Sequence, residues 1–327
     1  MKSKIIILLA SVFAVGAATN LVTNRMELPA AKVTVRVTDE TGQPISNANV
    51  WFTFKDRLTW KDQNVRGLTD TDGQFTAEGG CDAAGIAGEV TKDGYYMGGT
   101  PVIKFYGADA DNHRQPWNET HTVILRPIGK PVALYAKKVE AVIPALDKQC
   151  GFDLETGDWV TPYGKGMKVD FVFKLHQERR GFQDYDVIGE LTFKNPQDGL
   201  LNVPELDAGK NSAFRWERQA PENGYQPKFQ LQNSWHKERG ITRSFKFKDG
   251  VWEGYFFRVR TVEQDGQIVS ARYGKIRGGI EVFPHDPNPK VVFTYYFNPT
   301  PNDRNLEWDP KKNLFGGLTD METPREP

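Results

Sequence analysis

Cysteine is nearly absent from this sequence, since the chain of 327 residues contains only Cys81 and Cys150. Two cysteines are too few to form a zinc site by themselves. In an exported chain they allow one intramolecular disulfide, which would tie a loop of the first half to the middle of the sequence. Two alternatives stand: a disulfide between Cys81 and Cys150, or two unpaired thiols.

Motifs of known catalytic sites are also missing. The sequence has no G-x-S-x-G nucleophile elbow, no phosphate-binding G-x-x-x-x-G-K-[ST] loop and no H-E-x-x-H zinc motif. We therefore expect no catalytic residue, no metal, no cofactor and no enzyme activity. Glycoside hydrolysis needs only two carboxylates that face each other across a cleft. Such a pair stays open among glutamates of the second half: Glu178, Glu190, Glu217 and Glu253.

The chain has no excess charge of either sign, with 42 basic and 42 acidic residues. Without Lys2 and Lys4 of the N-terminal segment, 40 basic residues stand against 42 acidic ones. Proteins that bind nucleic acid do so largely through basic patches, so this balance gives no electrostatic case for that partner. We expect no nucleic acid partner.

Long apolar runs are lacking as well. The most apolar segment, Ile5 to Val15, is too short for a membrane span, which needs about 20 residues. It follows two lysines and precedes small residues, which is typical of a secretory signal peptide. We predict a signal peptide over residues 1–18 and an exported protein of the periplasm, the cell surface or the medium, with no membrane span after cleavage. The alternative is an uncleaved anchor.

What the sequence has in abundance is alternation of apolar and polar residues with a period of two, which predicts half-buried β-strands. Asp265-Gly266 separates two such runs and predicts a β-hairpin. The segment Val132 to Val142 reads either as a short helix or as an extended linker. The clearest strand-like runs are 33–37, 48–55, 121–126, 168–176, 255–261, 267–273 and 291–297, the last of which predicts the final strand.

Many short strands separated by turn residues favour sandwiches over alternating α/β units. About 300 mature residues are too many for one small core, so two domains are expected. We predict an all-β protein with two β-sandwich-type domains in tandem after the signal peptide. The predicted segments are a first domain at 31–130, a linker at 131–164, a second domain at 165–298 and a coil tail at 299–327.

The stretch GLTDTDGQFTAEGG, residues 67–80, raises the question of a metal-binding loop. An EF-hand loop that starts at Asp70 would need glycine at its sixth position, where Phe75 stands instead. The stretch fits a turn, because aspartate can bond its own backbone and Gly73 can adopt a positive φ. A second acidic segment, 109–113, is either an oxygen site for calcium or a polar surface loop.

Three groups of residues in the first third of the chain form one pattern of strands and turns. They are Val35-x-Val37-x-Asp39-x-x-Gly42-x-Pro44-Ile45-x-Asn47-Ala48-x-Val50, Thr69-Asp70-x-Asp72-Gly73-x-Phe75 and Gly94-Tyr95. Together they resemble the carboxypeptidase regulatory-like domain, a small transthyretin-like β-sandwich. The resemblance covers about residues 31–127 and implies a non-catalytic accessory or adhesive module. The glycine-rich loop 79–85 departs from the family pattern.

The remainder of the chain resembles uncharacterised exported bacterial proteins and brings no activity with it. That resemblance is carried by Gly151 to Val160, by Tyr163-Gly-Lys-Gly and by Phe297 to Pro310.

Aromatic residues are frequent, with eight tryptophans. Aromatics on one face of a sandwich can stack on sugar rings, although most aromatics fill cores. Trp51 stands on the polar phase of its strand, between Val50 and Phe52, so we expect it to be exposed or to cover a second layer. The candidate ligand contacts are Trp51, Trp216, Trp235 and Trp252.

These observations lead us to expect an exported, non-enzymatic protein that binds or scaffolds at the cell envelope or surface. Its partner would be a protein or a polysaccharide at the cell surface. The alternative is a carbohydrate-binding or carbohydrate-cleaving protein that acts through its second domain. Exposed tryptophans in the second domain would favour that alternative, and buried ones would count against it.

Overall fold

The structure, a computed structural model, describes residues 28–57, 59–203, 211–244 and 254–327. Within these ranges the chain forms strands, turns and loops and contains no α-helix, which confirms the all-β prediction. The proposed signal segment 1–18 lies outside the described residues. No helix in the described part of the chain is long and apolar enough to cross a membrane.

The first unit is built from two facing sheets. In the three-stranded sheet the central strand β1 pairs antiparallel with β4 and parallel with β9. In the four-stranded sheet the order is β3-β2-β6-β7, and a two-stranded ribbon of β5 and β8 lies beside it. The strands are β1 Ala30–Thr38, β2 Asn49–Phe54, β3 Gln63–Leu68, β4 Gln74–Gly80, β5 Gly85–Ile86, β6 Gly88–Thr91, β7 Gly98–Gly99, β8 Ile103–Lys104 and β9 Glu119–Ile124.

Alternation along the strands explains why these two sheets pack. The inward-facing side chains of β1 and β2 are buried in one apolar cluster, while the residues between them face outward. Full burial of a side chain of this size stabilises the fold by about 1.5–3 kcal/mol. The buried residues of these two strands include Val33, Val35, Val37, Val50, Phe52 and Phe54.

The stretch 67–80 contains the end of β3, a turn over residues 69–73 and the whole of β4. The Asp70 carboxylate accepts hydrogen bonds from the backbone N–H groups of Asp72 (3.0 Å) and Gln74 (2.7 Å). Gly73 has a φ of 74°, and a Cβ there would lie 2.4 Å from the Val37 carbonyl oxygen. Only glycine fits this position without strain. The carboxylate of Asp70 is thus committed to the backbone of the turn, as the sequence interpretation expected.

The second unit consists of two six-stranded sheets packed face to face around a large aromatic core. The first sheet has the order β15-β18-β19-β20-β10-β21 and the second β12-β11-β13-β14-β16-β17. The fold is therefore all-β with more than one sandwich-like unit. The strands are β10 Val132–Val142, β11 Cys150–Asp153, β12 Asp158–Trp159, β13 Phe171–Gly181, β14 Asp184–Thr192, β15 Gly199–Val203, β16 Lys228–His236, β17 Gly240–Arg243, β18 Gly254–Gln264, β19 Gln267–Phe283, β20 Lys290–Asn298 and β21 Trp308–Asn313.

Two segments that were interpreted as linker and tail belong to the sheets. Strand β10, in the predicted linker 131–164, pairs antiparallel with β20 along eight residue pairs, and β11 and β12 join the other sheet. Strand β21, in the predicted coil tail 299–327, pairs with β10, so β20 is not the final strand. Side chains of β10 pack into apolar clusters on both of its faces. Apolar residues are therefore needed on both faces, and the sequence of β10 lacks the apolar–polar alternation that marks a half-buried strand.

The outer face of the β10-containing sheet is covered by the segment around Phe214 and Trp216. The first unit rests on the same segment. Arg126 donates hydrogen bonds to the carbonyl oxygens of Phe214 (3.1 Å) and Trp216 (2.7 Å), and Tyr96 donates to the buried Glu307 carboxylate (2.8 Å). The two units therefore share a hydrogen-bonded interface rather than a free hinge.

The two cysteines lie in different cores. Cys81 is buried in the core of the first unit and Cys150 in that of the second, and both thiols are free. The proposed Cys81–Cys150 disulfide is therefore absent, and the unpaired alternative holds. Burial raises the pKa of the Cys150 thiol above its usual value, which keeps it in the less reactive protonated form.

Candidate functional site

The structure separates the four tryptophans that the sequence offered as ligand contacts. Trp216 is only 2% exposed, beneath the interface between the units, and so it does not reach a surface ligand. Trp235 is half-buried and packs against the core of the second unit. Trp252 lies outside the described residues. Trp51 is 39% exposed, as its position on the polar phase of its strand predicted.

Strand register determines which side chains surround Trp51. On β2, Trp51 is paired with Arg66 of β3 on one side and with Glu89 of β6 on the other. Two residues away on the same face of β2, Asn49 lies between Leu68 and Thr91. Residues that are directly paired point to the same face of a sheet. We call this outward-facing set the Trp51 face: Asn49, Trp51, Arg66, Leu68, Glu89 and Thr91.

The indole of Trp51 is held in a fixed orientation. Its Nε1–H donates a hydrogen bond to Asn64 Oδ1 (3.0 Å), which also accepts one from the Thr53 hydroxyl (2.8 Å). The guanidinium carbon of Arg66 lies 4.0 Å from the centroid of the ring, so the two groups are stacked. A cation over an indole at this distance is attractive by about 0.5–1 kcal/mol at an exposed site. The aromatic surface is thus preorganised before any ligand arrives.

A groove of about 390 Å³ lies along the Trp51 face, bounded by the side chains of that face. Its polar groups are largely uncommitted. Within the described residues, the side chains of Asn49, Glu89 and Thr91 have no hydrogen-bond or ion-pair partner. Arg66 and Glu89 lie on opposite sides of Trp51, which keeps their charges from pairing with each other.

The other outward face of the first unit is different. There Lys32 forms an ion pair with Glu78 (3.0 Å), and the Thr34 and Thr76 hydroxyls share a hydrogen bond (2.8 Å). Thr34 also donates to the side chain of Asn118 (2.8 Å). These particular polar groups therefore satisfy one another, whereas Asn49, Glu89 and Thr91 of the Trp51 face remain open to a ligand.

The acidic segment 109–113 has the geometry of a turn. Asp109, Asp111 and His113 could bring one ligand atom each within 4.8 Å of one another. The Asp109 carboxylate, however, already accepts hydrogen bonds from the N–H groups of Asp111 (3.1 Å) and His113 (2.9 Å) and from Gln115 (2.7 Å). These hydrogen bonds lower the pKa of the Asp109 carboxyl. They explain the cluster as a turn that is stabilised by its own aspartate.

The glutamates considered for glycoside hydrolysis have other partners or positions. Glu178 forms an ion pair with Arg180 (2.8 Å), and Glu190 forms one with Lys228. Glu217 is exposed on the segment that covers the outer face of the second unit, and Glu253 lies outside the described residues. The carboxylates of Glu178 and Glu190 are thus each engaged by a basic side chain.

Two charged groups of the second unit are structural in character. Arg260, whose side chain is 13% exposed, lies among the carboxylates of Asp153, Glu155 and Asp170. Lys275 is fully buried between the rings of Phe214, Trp216 and Tyr296, and its Nζ has no hydrogen-bond partner. Sequence inspection did not single out either residue, because nothing local marks a charged residue as buried.

No family model matches the chain, and no curated protein matches it. Among solved structures it is similar to a streptococcal ancillary pilin (11% identity, TM-score 0.20, 80% of this chain and 60% of the pilin covered). It is also similar to the major pilin subunit of Bacillus cereus (10% identity, TM-score 0.22, 80% and 95% covered).

A further similarity is to a Bacteroides fragilis protein of unknown function described as membrane-associated (12% identity, TM-score 0.21, 83% and 98% covered). The chain spans only 60% of the length of the streptococcal pilin. At TM-scores this low, the similarities do not define the function of this chain. The class of protein follows from its own strands: an all-β protein with more than one sandwich-like unit.

Proposed function

We propose that the chain is an exported, non-enzymatic binding protein of the cell envelope or surface, and that the Trp51 face is its contact surface. One observation carries the proposal. Trp51 is exposed, held in one orientation by Asn64, and surrounded by polar side chains that have no partner within the described chain. Exposed aromatics among uncommitted polar groups are typical of binding sites.

The second unit would act as the scaffold that carries this surface. Three of the aromatics that could have formed a sugar-binding face there are buried: Trp216, Tyr255 and Tyr273. The alternative of carbohydrate binding through the second domain therefore loses Trp216, while Trp235 is half-buried and Trp252 lies outside the described residues. Export is proposed from the signal-like N-terminal segment, and absence of turnover from the missing catalytic motifs.

We further propose that residues 31–130 form a carboxypeptidase regulatory-like module and that the second domain begins at residue 131. The turn at Asp70 to Gly73 supports the module, because the family-like residues there form the turn between successive strands that the resemblance implies. Strand β10 begins at Val132 and belongs to a six-stranded sheet of the second unit, which supports a boundary at residue 131.

Replacing Trp51 by alanine should abolish most of the association of the full chain with isolated cell envelopes of its host. The stacking surface is lost, while the core is preserved because the side chain faces outward. The measurement is the fraction of purified protein that sediments with envelopes. The matched control is Trp60→Ala, since Trp60 is 85% exposed in the loop between β2 and β3. Equal sedimentation of the two variants would contradict the proposal.

A further inference from the structure

We infer that the Trp51 face binds an uncharged saccharide chain. The inference rests on the proposed function and deepens it by naming the class of ligand. Three properties of the face lead to it: an oriented aromatic platform, uncommitted hydrogen-bonding groups around that platform, and charges that balance.

The platform suits a sugar ring. The C–H groups on one face of a pyranose form a flat apolar surface that packs against an aromatic ring. The indole of Trp51 is fixed at its edge by the hydrogen bond to Asn64 and on its face by the Arg66 guanidinium. A rigid aromatic group loses little conformational entropy when a ligand binds, which favours affinity.

The groups around the platform match sugar hydroxyls, each of which can both donate and accept a hydrogen bond. Glu89 supplies acceptors, Arg66 donors, and Asn49 and Thr91 both kinds. Because none of the Asn49, Glu89 and Thr91 side chains has a partner within the described chain, a ligand need not displace an existing bond. The groove volume of about 390 Å³ lies in the range of small-ligand sites.

The charges argue against two other ligands. Arg66 and Glu89 carry opposite charges on either side of Trp51, so the face has no excess of cations that would select phosphate or a polyanion. A protein partner is disfavoured because glutamate is depleted at the centres of protein interfaces, and Glu89 lies directly beside the aromatic anchor.

The test is isothermal titration of the full chain with soluble neutral gluco- and manno-oligosaccharides and with neutral polysaccharide isolated from the envelope of its host. We expect at least one of these probes to bind. Trp51→Ala should weaken that binding at least about tenfold, which is the loss of one stacking contact. Glu89→Gln should weaken it less, because it keeps one acceptor. Trp60→Ala should leave it unchanged.

Each outcome is decisive. Binding that depends on Trp51 and not on Trp60 supports the inference. If no saccharide binds while sedimentation with envelopes still depends on Trp51, the saccharide assignment is wrong and the contact surface stands with a partner of another class. If a saccharide binds equally well to Trp51→Ala, the ligand lies elsewhere and the assignment to this face is overturned.

Discussion

Replacing Arg260 by alanine is expected to lower the free energy of unfolding by about 3–5 kcal/mol, the usual effect of removing one partner of a buried ion pair. Arg260 donates to both oxygens of the Asp170 carboxylate (2.7 and 2.8 Å), and it also contacts Glu155 and Asp153. The Asp170 carboxylate is fully buried, so without Arg260 its charge keeps only the hydrogen bond from the Leu154 N–H (2.9 Å) and no cation to pair with. Urea denaturation followed by tryptophan fluorescence measures the effect.

The local backbone explains how Arg260 reaches these carboxylates. It has a φ of 56° at a bulge in the pairing of β18 with β19, and its N–H donates to Asp198 (3.0 Å). Arg180 provides the control, since it also contacts several carboxylates but lies at the surface, where ion pairs contribute little. Arg180→Ala should therefore change stability much less.

Adding Asp170→Asn to Arg260→Ala should restore part of the stability, because it removes the unpaired charge. Burial raises the pKa of Asp170 and Arg260 opposes that rise, so in Arg260→Ala the pKa of Asp170 rises further. The defect should therefore shrink as the pH falls and Asp170 becomes protonated. A loss no larger than that of Arg180→Ala would show that the cluster is solvated and not a buried network.

Replacing Lys275 by methionine should raise the free energy of unfolding by about 1–3 kcal/mol at neutral pH, since it removes a buried donor that has no hydrogen-bond partner. The Nζ lies 4.8 Å from the ring centroid of Tyr296 and 5.1 Å from that of Phe214. The negative faces of these rings attract the ammonium group and offset part of the cost of removing it from water. Burial nevertheless lowers the pKa of Lys275 well below its usual value.

The pH dependence of this gain has a definite sign. Other charges bear on the Lys275 amine: Arg126 and Arg277 lower its pKa further, and Glu307 opposes them. Because the folded-state pKa is lowered, the unfolded chain binds more protons than the folded chain between that pKa and about 10.4. Wild-type stability therefore rises with pH through this window, and the advantage of Lys275→Met falls.

The measurement is the difference in unfolding free energy between Lys275→Met and wild type, taken between about pH 6 and pH 10 by denaturant titration. Lys137→Met is a suitable control, since Lys137 is paired with Glu322 and is partly exposed. A difference that is constant with pH would mean that Lys275 titrates normally. A destabilised variant would mean that the cation contributes to the packing of the interface.

Local patterns in the sequence were sufficient to predict most strands and turns. The alternation in β2 predicted both the buried Phe52 and the outward Trp51. Asp265 and Gly266, with φ values of 53° and 75°, form the predicted hairpin between β18 and β19. These features depend on neighbours in the chain, which is why a pattern of a few residues captures them.

Features that depend on distant contacts were not predictable in the same way. Trp216 looks like any aromatic in a polar segment, and its burial depends on distant residues, Phe256 of β18 and Arg126 of the first unit. Likewise, Arg66 and Glu89 are distant from Trp51 in the sequence. They lie beside it only because β3 and β6 pair with β2 in this register. The sequence therefore indicated the exposed tryptophan but not the groups that surround it.

The most direct test of the Trp51 face is oxidative footprinting of tryptophans in the full chain, with and without saturating host envelopes, read by mass spectrometry. Trp51 and Trp60 are both exposed in the free protein, so both should be oxidised there. The proposed function predicts that envelopes protect Trp51 strongly while oxidation of Trp60 is unchanged. Equal oxidation of Trp51 in the two conditions, with the protein demonstrably bound, would contradict it.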